Sequence, residues 1–413
     1  MIKSLLSPFR VRGFLFQWPA DLLTNIGIEM EMLMLGWFIL TETKSVVLLT
    51  VFGALRYLGT LIAPAFGMAG DKWGHRKLLC AMRASYAVAA AIMTVLTFAG
   101  GLGPIPIFIA ATFAGLARPS DLAMRNALIA AIMPPDRLMN AMGAAGTTSD
   151  CSRILGPLAG AAIIAGLGMG PAYLIIAACY TAALVLTAMG GKDLSHRRAA
   201  GVGEASSIHE VGEGLRYVWR TPCVHAGMWL AVLVNATVIP LTGGLMPYIA
   251  RDIYHLDRFG LGCLLACFSF GALCGSVGVS TIGAALPAAR TFILAVLSWC
   301  TMVLIYIFMP GPLGAGVMLV LAGIAQNFCQ IPLYAMLLRV AGAQYRGRVM
   351  GVRSLAVYGL PVGLLVAGWL IERVGFTAMA VGSCVFGFVA TLAIVLWWWR
   401  ALWPLTAQGN AAR

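Results

Sequence analysis

Five carboxylates lie inside stretches apolar enough to cross a membrane: Asp21, Glu29 and Glu31 on the first stretch, Asp121 on the fourth, Asp150 on the fifth. Arg56, Arg118 and Arg153 lie in apolar sequence with them. An ionised side chain at the centre of a bilayer costs about 3 kcal/mol even on the gentlest scales, so such residues face one another, a wet cavity or a polar ligand. Carboxylates in a partly dry cavity can bind and release protons near neutral pH. All five histidines fall in breaks or at segment ends, and no lysine lies in mid-segment. A proton carrier in this chain must therefore be a carboxylate. Glu29 and Glu31 have no partner on their own helix, and with Asp21 they are the candidates for proton coupling.

Spacing groups these residues further. Asp21, Asn25 and Glu29 recur every four residues and form one stripe on a helix, whereas Glu31 points away from it. Arg118, Asp121 and Arg125 share a face of the fourth segment, and Asp150 and Arg153 are neighbours on the fifth. The adjacent arginines would keep Asp121 and Asp150 ionised, as substrate contacts, as scaffold or as plain structural ion pairs. Arg56 suits bidentate capture of an anionic group, or neutralisation of Glu29 or Glu31. The second half of the chain offers amides instead: Asn235, then Gln326, Asn327 and Gln330. Asn25, Arg56, Arg118, Asp121, Asp150, Arg153, Asn235, Asn327 and Gln330 are thus the candidates for a polar cavity.

Composition says what kind of scaffold holds these residues. The chain is 61% hydrophobic and 10% charged, against about 25% charge in a soluble domain. A multi-pass helical membrane protein is the class this dictates. Apolar stretches predict helices at roughly 14–40, 46–69, 78–99, 105–127, 141–165, 171–190, 224–249, 259–283, 291–309, 313–338, 349–371 and 376–399. The long polar break at 191–222 divides the chain into an N-terminal six-helix bundle, 1–190, and a C-terminal one, 223–413. Within that linker Ile208, Val211, Leu215 and Val218 share one face, as in a helix lying on the membrane surface. The N-terminus lacks the apolar core and cleavage site of a removable signal peptide.

The breaks alternate in charge. Lys3, Arg10, Arg12, Lys72, Arg76, Lys77, Arg137, Lys192, Arg197, Arg198, Arg216, Arg220, Arg290, Arg339, Arg346, Arg348, Arg400 and Arg413 fall on one side; the other holds only Lys44, Arg251, Arg258 and Arg373. The positive-inside rule makes the first side cytoplasmic, with both termini there. This distribution accounts for the net charge of +13 without a nucleic-acid partner. No two of the ten cysteines are spaced C-x-x-C, and most sit in apolar segments, which points to packing rather than to a disulfide framework or a metal site. Nothing in the chain calls for a cofactor. Gly156 with Gly160, and Gly271 with Gly275, are spaced for close helix approach.

The break after the second segment runs Gly67-Met68-Ala69-Gly70-Asp71-Lys72-Trp73-Gly74-His75-Arg76-Lys77. It resembles the signature loop of the major facilitator superfamily, with Gly67, Asp71, Lys72, Gly74, Arg76 and Lys77 in the motif positions and His75 replacing the first basic residue of the closing pair. Arg118-Pro119-Ser120-Asp121, Met133-Pro134-Pro135-Asp136-Arg137 and Arg346-Gly347-Arg348-Val349-Met350-Gly351 resemble the branch holding the enterobactin exporter, macrolide efflux proteins and other drug:proton antiporters. Gly156, Pro157 and Gly160 resemble that branch's antiporter motif of the fifth helix. The resemblance covers nearly the whole chain, and Arg56, Glu29 and Glu31 depart from its general pattern.

That resemblance implies an all-α, twelve-helix fold of two pseudo-symmetric six-helix bundles in a bacterial inner membrane, working as a monomer. The first, fourth and fifth helices would line the central cavity, and Asp71 would latch the cytoplasmic side through the start of the eleventh helix. The implied activity is proton-driven export of a small molecule by alternating access. A siderophore-like metabolite is the first expectation, because a charged cavity suits a hydrophilic solute. Multidrug or macrolide efflux, lysophospholipid flipping and solute uptake are the alternatives. A membrane enzyme or receptor is more remote, for want of an intramembrane histidine constellation or a soluble output domain.

Overall fold

The computed structural model describes residues 7–61, 69–70, 72–190, 208–283, 286–342 and 345–402. Among them the structure is helical and contains no strand. The helices are α1 (Arg12–Thr43), α2 (Val46–Leu55), α3 (His75–Phe98), α4 (Pro104–Ile132), α5 (Pro135–Leu167), α6 (Met169–Met189), α7 (Ile208–Arg220) and α8 (Pro222–Thr237). They continue as α9 (Arg258–Ile282), α10 (Ala288–Ile307), α11 (Pro312–Val340), α12 (Arg346–Leu355), α13 (Gly359–Val374) and α14 (Phe376–Trp397). Counting Arg346–Val374 as one span, ten helices among the described residues are long and apolar enough to cross a membrane, and two shorter apolar ones, Val46–Thr60 and Pro222–Thr237, accompany them. That matches the twelve segments read from hydropathy.

Chain punctuation sets the helix ends. Proline opens α4, α5, α8 and α11, where a missing N–H costs nothing. Gly168 between α5 and α6 has φ 83°, and Gly375 between α13 and α14 has φ 84°. Both turns need a left-handed backbone that glycine supplies at least cost. The same device thus recurs at corresponding places in the two halves, as does Gly-Pro before α4 and before α11.

Two predicted helices are interrupted. The second ends at Leu55; residues 56–57 form a turn before a 3-10 stretch, Leu58–Leu61, so Arg56 occupies a break and not the middle of a helix. Here Gly59 and Gly115 let the backbones meet: a Cβ on Gly59 would lie 2.6 Å from the Gly115 carbonyl oxygen. Tertiary crossing, which hydropathy does not register, makes this break. The seventh stops at Thr237 and resumes as short turns, Ile239–Thr242 and Met246–Tyr248, running into a π-helical turn, Ile249–Ile253. Pro240 has no N–H for the Ala236 carbonyl, and Gly243-Gly244 weaken the next turn of helix. The freed Ala236 carbonyl lies against Gly363 of α13.

The chain forms two compact units. The first comprises Met1–Lys44, Leu55–Ala205 and Asp257–Gly262; the second comprises Ser45–Ala54, Ser206–Leu256 and Cys263–Arg413. In the first, Phe14 of α1 packs with Ile129 of α4 and Ala141 of α5, and Leu79 and Met82 of α3 pack with Met124 and Leu128 of α4. In the second, the glycines of α9 bear on α11: a Cβ at Gly275 would lie 2.7 Å from the Ile324 carbonyl oxygen.

In the linker helix α7, Val218 is buried and Leu215 is 46% exposed, while the side chains of Ile208 and Val211 lie outside the described ones. It docks on the start of α12. Tyr217 stacks on Tyr345 at 4.6 Å and donates to the Val340 carbonyl at 3.1 Å, while Glu213 pairs with Arg348 at 2.8 Å. Gly214 passes 3.0 Å from the Arg348 carbonyl oxygen, measured to where a Cβ would stand.

Candidate functional site

Gln17, Asp21, Asn25 and Glu29 descend one face of α1. At the upper end of this stripe Asp21 is 1% exposed. It accepts a hydrogen bond from Gln17 Nε2 at 2.7 Å and is ion-paired with Arg83 of α3. Arg83 is equally buried, and it also donates to the Thr187 hydroxyl and, at 3.4 Å, to the Ala183 carbonyl, both on α6. Arg125 of α4 brings its Nε within 4.0 Å of Asp21 Oδ2. One carboxylate thus ties together four helices, α1, α3, α4 and α6. Arg83 was absent from the buried cations read from the sequence. Its signal was there, a lone arginine at the sixth position of the apolar segment 78–99, between Met82 and Ala84.

Asp121 is 4% exposed, and its Oδ1 has no hydrogen-bond partner among the described residues. The expected pairing with Arg118, one turn earlier on the same helix, is not formed. Arg118 instead reaches across to α1, where its Nη2 donates to Glu29 Oε1 at 2.9 Å and its Nη1 lies 3.6 Å from Met32 Sδ. Glu29, unpartnered on its own helix, is therefore paired across helices. A helical spacing rule sees neighbours on one helix only; the nearer charge belongs to another. This pair is partly accessible, at 20% for Glu29 and 33% for Arg118.

Close packing places Glu29. A Cβ added to Gly156 of α5 would sit 2.6 Å from Glu29 Cβ, and one added to Gly160 would sit 3.2 Å from Met30 Cα. The two glycines of the resembled antiporter motif thus let α5 lie against the backbone of α1 at the level of the carboxylate. Pro157 is buried between them.

Glu31 has a different environment. The Tyr180 hydroxyl of α6 donates to its Oε2 at 3.1 Å, and no cation lies within 4 Å of it among the described residues. Gly27 makes room for the ring: a Cβ there would be 2.7 Å from Tyr180 Cε1. Tyr86 of α3 stands 5.7 Å from Tyr180, ring to ring, and the buried Tyr86 and Tyr173 hydroxyls find no protein partner among the described residues. These phenols escaped the sequence reading, although Tyr173 and Tyr180, seven residues apart, mark one face of α6.

The remaining candidates are dispersed. Asn25 is half-buried with its amide nitrogen unpartnered among the described residues. Asp150 is half-buried and Arg153 exposed, and they do not pair with each other within 4 Å. In the second unit Asn235 donates to Ala231 of its own helix at 2.8 Å, Asn327 donates to the Ala272 carbonyl of α9, and Gln330 is half-buried. Asn327 thereby ties α11 to α9. In the signature loop, Gly67 and Asp71 lie outside the described residues. Gly74 has φ 93°, Lys72 and Lys77 are exposed, and Arg76 is buried, its guanidinium against Gly190 at the end of α6. Among the described residues no cluster of three His, Cys, Asp or Glu could hold a metal, and the ten cysteines form no disulfide.

A sequence model of the Major Facilitator Superfamily matches residues 18–361. The chain belongs to this superfamily. It is 26% identical over 386 residues to the multidrug efflux pump Tap of Mycobacterium tuberculosis, covering 90% of this chain and 91% of the relative. The pump of that name from Mycolicibacterium fortuitum is 26% identical over 403 residues, covering 90% and 93%. Among solved structures, the nucleoside transporter NupG superposes with TM-score 0.76 at 12% identity, over 93% of this chain and 98% of that one. A bacterial homologue of the human lysosomal transporter Spinster, in an inward-facing conformation, gives TM-score 0.73 at 14% identity, over 97% and 98%. The fold is the twelve-helix fold of this superfamily, and the chain is a multi-pass integral membrane transporter. The resemblance drawn from the signature loop and the antiporter motif holds at the level of the superfamily.

Proposed function

We propose that this chain is a proton-coupled exporter of amphipathic organic solutes, cationic ones foremost, resident in a bacterial inner membrane with both termini cytoplasmic. The regions 1–190 and 223–413 would be the bodies that alternate access, in a protein acting as a monomer. The single observation that carries the reading is the pair of unlike carboxylates on α1. Glu29 is held by a partly accessible arginine at 2.9 Å, and Glu31 only by a neutral phenol at 3.1 Å.

A phenol can donate to an ionised carboxylate and can accept from a protonated one, so Tyr180 serves both forms of Glu31. An arginine serves only the ionised form. Glu31 is thus the better proton carrier, and Glu29 with Arg118 the better exchangeable contact. A cationic solute would compete with Arg118 for Glu29, and a proton on Glu31 would reset the site. The similarity to multidrug efflux pumps over nine-tenths of the chain supports an amphipathic substrate range.

A hydrophilic, siderophore-like solute was expected from the number of buried carboxylates. Asp21 now has Arg83, and Glu29 has Arg118, so the carboxylates no longer call for a highly charged, hydrophilic solute; a single cationic group that displaces Arg118 from Glu29 is enough. Siderophore export remains the second reading, favoured by the 33% accessibility of Arg118, which can take an anionic group.

The test is purified protein in proteoliposomes, with a pH gradient imposed and a fluorescent amphipathic cation as solute. Glu31→Gln should abolish gradient-driven flux and keep solute binding. Unchanged pH dependence in that variant would remove Glu31 from the mechanism. Accumulation of an iron chelator inside deletion cells under iron limitation, with no change in cation flux, would put the siderophore first.

A further inference from the structure

The arginine-rich end of the second unit carries an aromatic cluster unrelated to the buried carboxylates. Trp219, the penultimate residue of α7, stands 4.6 Å from His225 of α8, ring to ring. Trp398, just past α14, stands 5.3 Å from the same imidazole, and Trp229 stands 6.3 Å from it. Trp219 and Trp229 are 61% and 47% exposed. Exposed Arg216 and Arg220 flank Trp219 on the outer face of α7, and exposed Arg400 follows Trp398 by two residues.

The chemistry of the cluster is one-sided. Of the acidic residues of α7, Glu213 is paired with Arg348 at 2.8 Å, and the side chain of Glu210 lies outside the described ones. Trp229 Nε1 donates to His225 Nε2 at 2.8 Å. An indole N–H can only donate, so His225 Nε2 is the acceptor and the neutral ring keeps its proton on Nδ1. The cluster therefore presents cations and N–H donors on an exposed aromatic platform. Indoles favour the headgroup level of a bilayer, and arginines collect on its cytoplasmic side.

We propose that the outer face of α7, with Trp219, Arg216, Arg220 and the His225–Trp398 pair, is a binding site for the phosphate headgroup of an anionic phospholipid of the cytoplasmic leaflet. The opposite face of α7 is fastened to the start of α12 through the Tyr217–Tyr345 stack and the Glu213–Arg348 pair. A bound lipid thus bears on the entry to the eleventh membrane span. The site is independent of the proton-coupling assignment and stands or falls by lipid binding alone.

The experiment uses the full chain in nanodiscs and measures quenching of tryptophan fluorescence by acyl-brominated phosphatidylglycerol against acyl-brominated phosphatidylcholine. The unaltered chain should be quenched preferentially by phosphatidylglycerol, by a factor on the order of fivefold per engaged arginine in relative affinity. The preference should vanish in Arg216→Gln/Arg220→Gln. Trp219→Phe should lose the excess of phosphatidylglycerol over phosphatidylcholine quenching, with the equal quenching of the other exposed tryptophans retained, while keeping a monodisperse elution profile, which separates loss of the site from loss of the fold. Equal quenching by both lipids, or a preference that survives the double arginine replacement, would overturn the proposal. So would its abolition by inorganic phosphate alone, which would assign the arginines to free anions.

Discussion

Replacing Arg83 by methionine should destabilise the first unit by about 3 kcal/mol, at the lower end of the cost of removing one partner from a buried ion pair. The lower end applies because Asp21 would not be left alone. Gln17 still donates to it at 2.7 Å, and Arg125 Nε stays at 4.0 Å. Asp21→Asn should cost less, about 2 kcal/mol, the worth of a hydrogen bond to a charged group. Arg83 would keep its acceptors Thr187 and Ala183 near the end of α6, where helix carbonyls favour a cation. The two residues share one bond, so the costs should not add, and the coupling between them should be about 2 kcal/mol. Thermal midpoints in detergent, read by fluorescence-detected size exclusion, are the assay. At about 2–4 °C per kcal/mol for a unit of this size, Arg83→Met should lower the midpoint by roughly 6–12 °C. The double variant should melt no lower than Arg83→Met alone. A double variant that loses the full sum, or an Arg83→Met midpoint unchanged from the parent, would show that the four-helix tie carries no energy.

Gly156→Ala should lower the midpoint and abolish transport, because its Cβ would stand 2.6 Å from Glu29 Cβ, whereas Gly166→Ala on the same helix meets no atom within 4 Å and should be neutral or gain up to about 1 kcal/mol in helix propensity. Melting curves of the two variants side by side check this, and equal behaviour would refute the close-packing argument. Arg118→Gln should alter stability by less than about 1 kcal/mol, since the pair with Glu29 is 33% and 20% accessible, yet slow solute flux several-fold. Flux in proteoliposomes and the melting midpoint together decide it; a large loss of stability with normal flux would make the pair a clamp.

Much of the fold was legible in the chain itself. Helix spans follow from apolar length, and helix ends from Pro104, Gly168, Pro312 and Gly375, because these residues act through their own backbone geometry; the fifth helix starts at Pro135, six residues before the apolar stretch that marked it, because its first turns are polar. Breaks set by another helix were less legible. Arg56 falls in a turn where the second span meets α4, and the residues that decide it, Gly59 and Gly115, are far apart in sequence. In the candidate site, carboxylate positions were plain and their partners were not. Helical periodicity offered Asp121 to Arg118, while the structure gives Arg118 to Glu29 and Arg83 to Asp21.

The class, the number of spans and the identity of the side chains that carry charge into the membrane were all readable from the chain, for these depend on hydropathy and on residue type at each position. Which charge answers which was settled by tertiary packing. Ion pairing falls off steeply with distance, and the distances between helices are set by packing at Gly27, Gly156 and Gly160, not by spacing along the chain. That is why two glutamates two residues apart, alike in the sequence, came to differ: Glu29 faces an arginine and Glu31 a tyrosine.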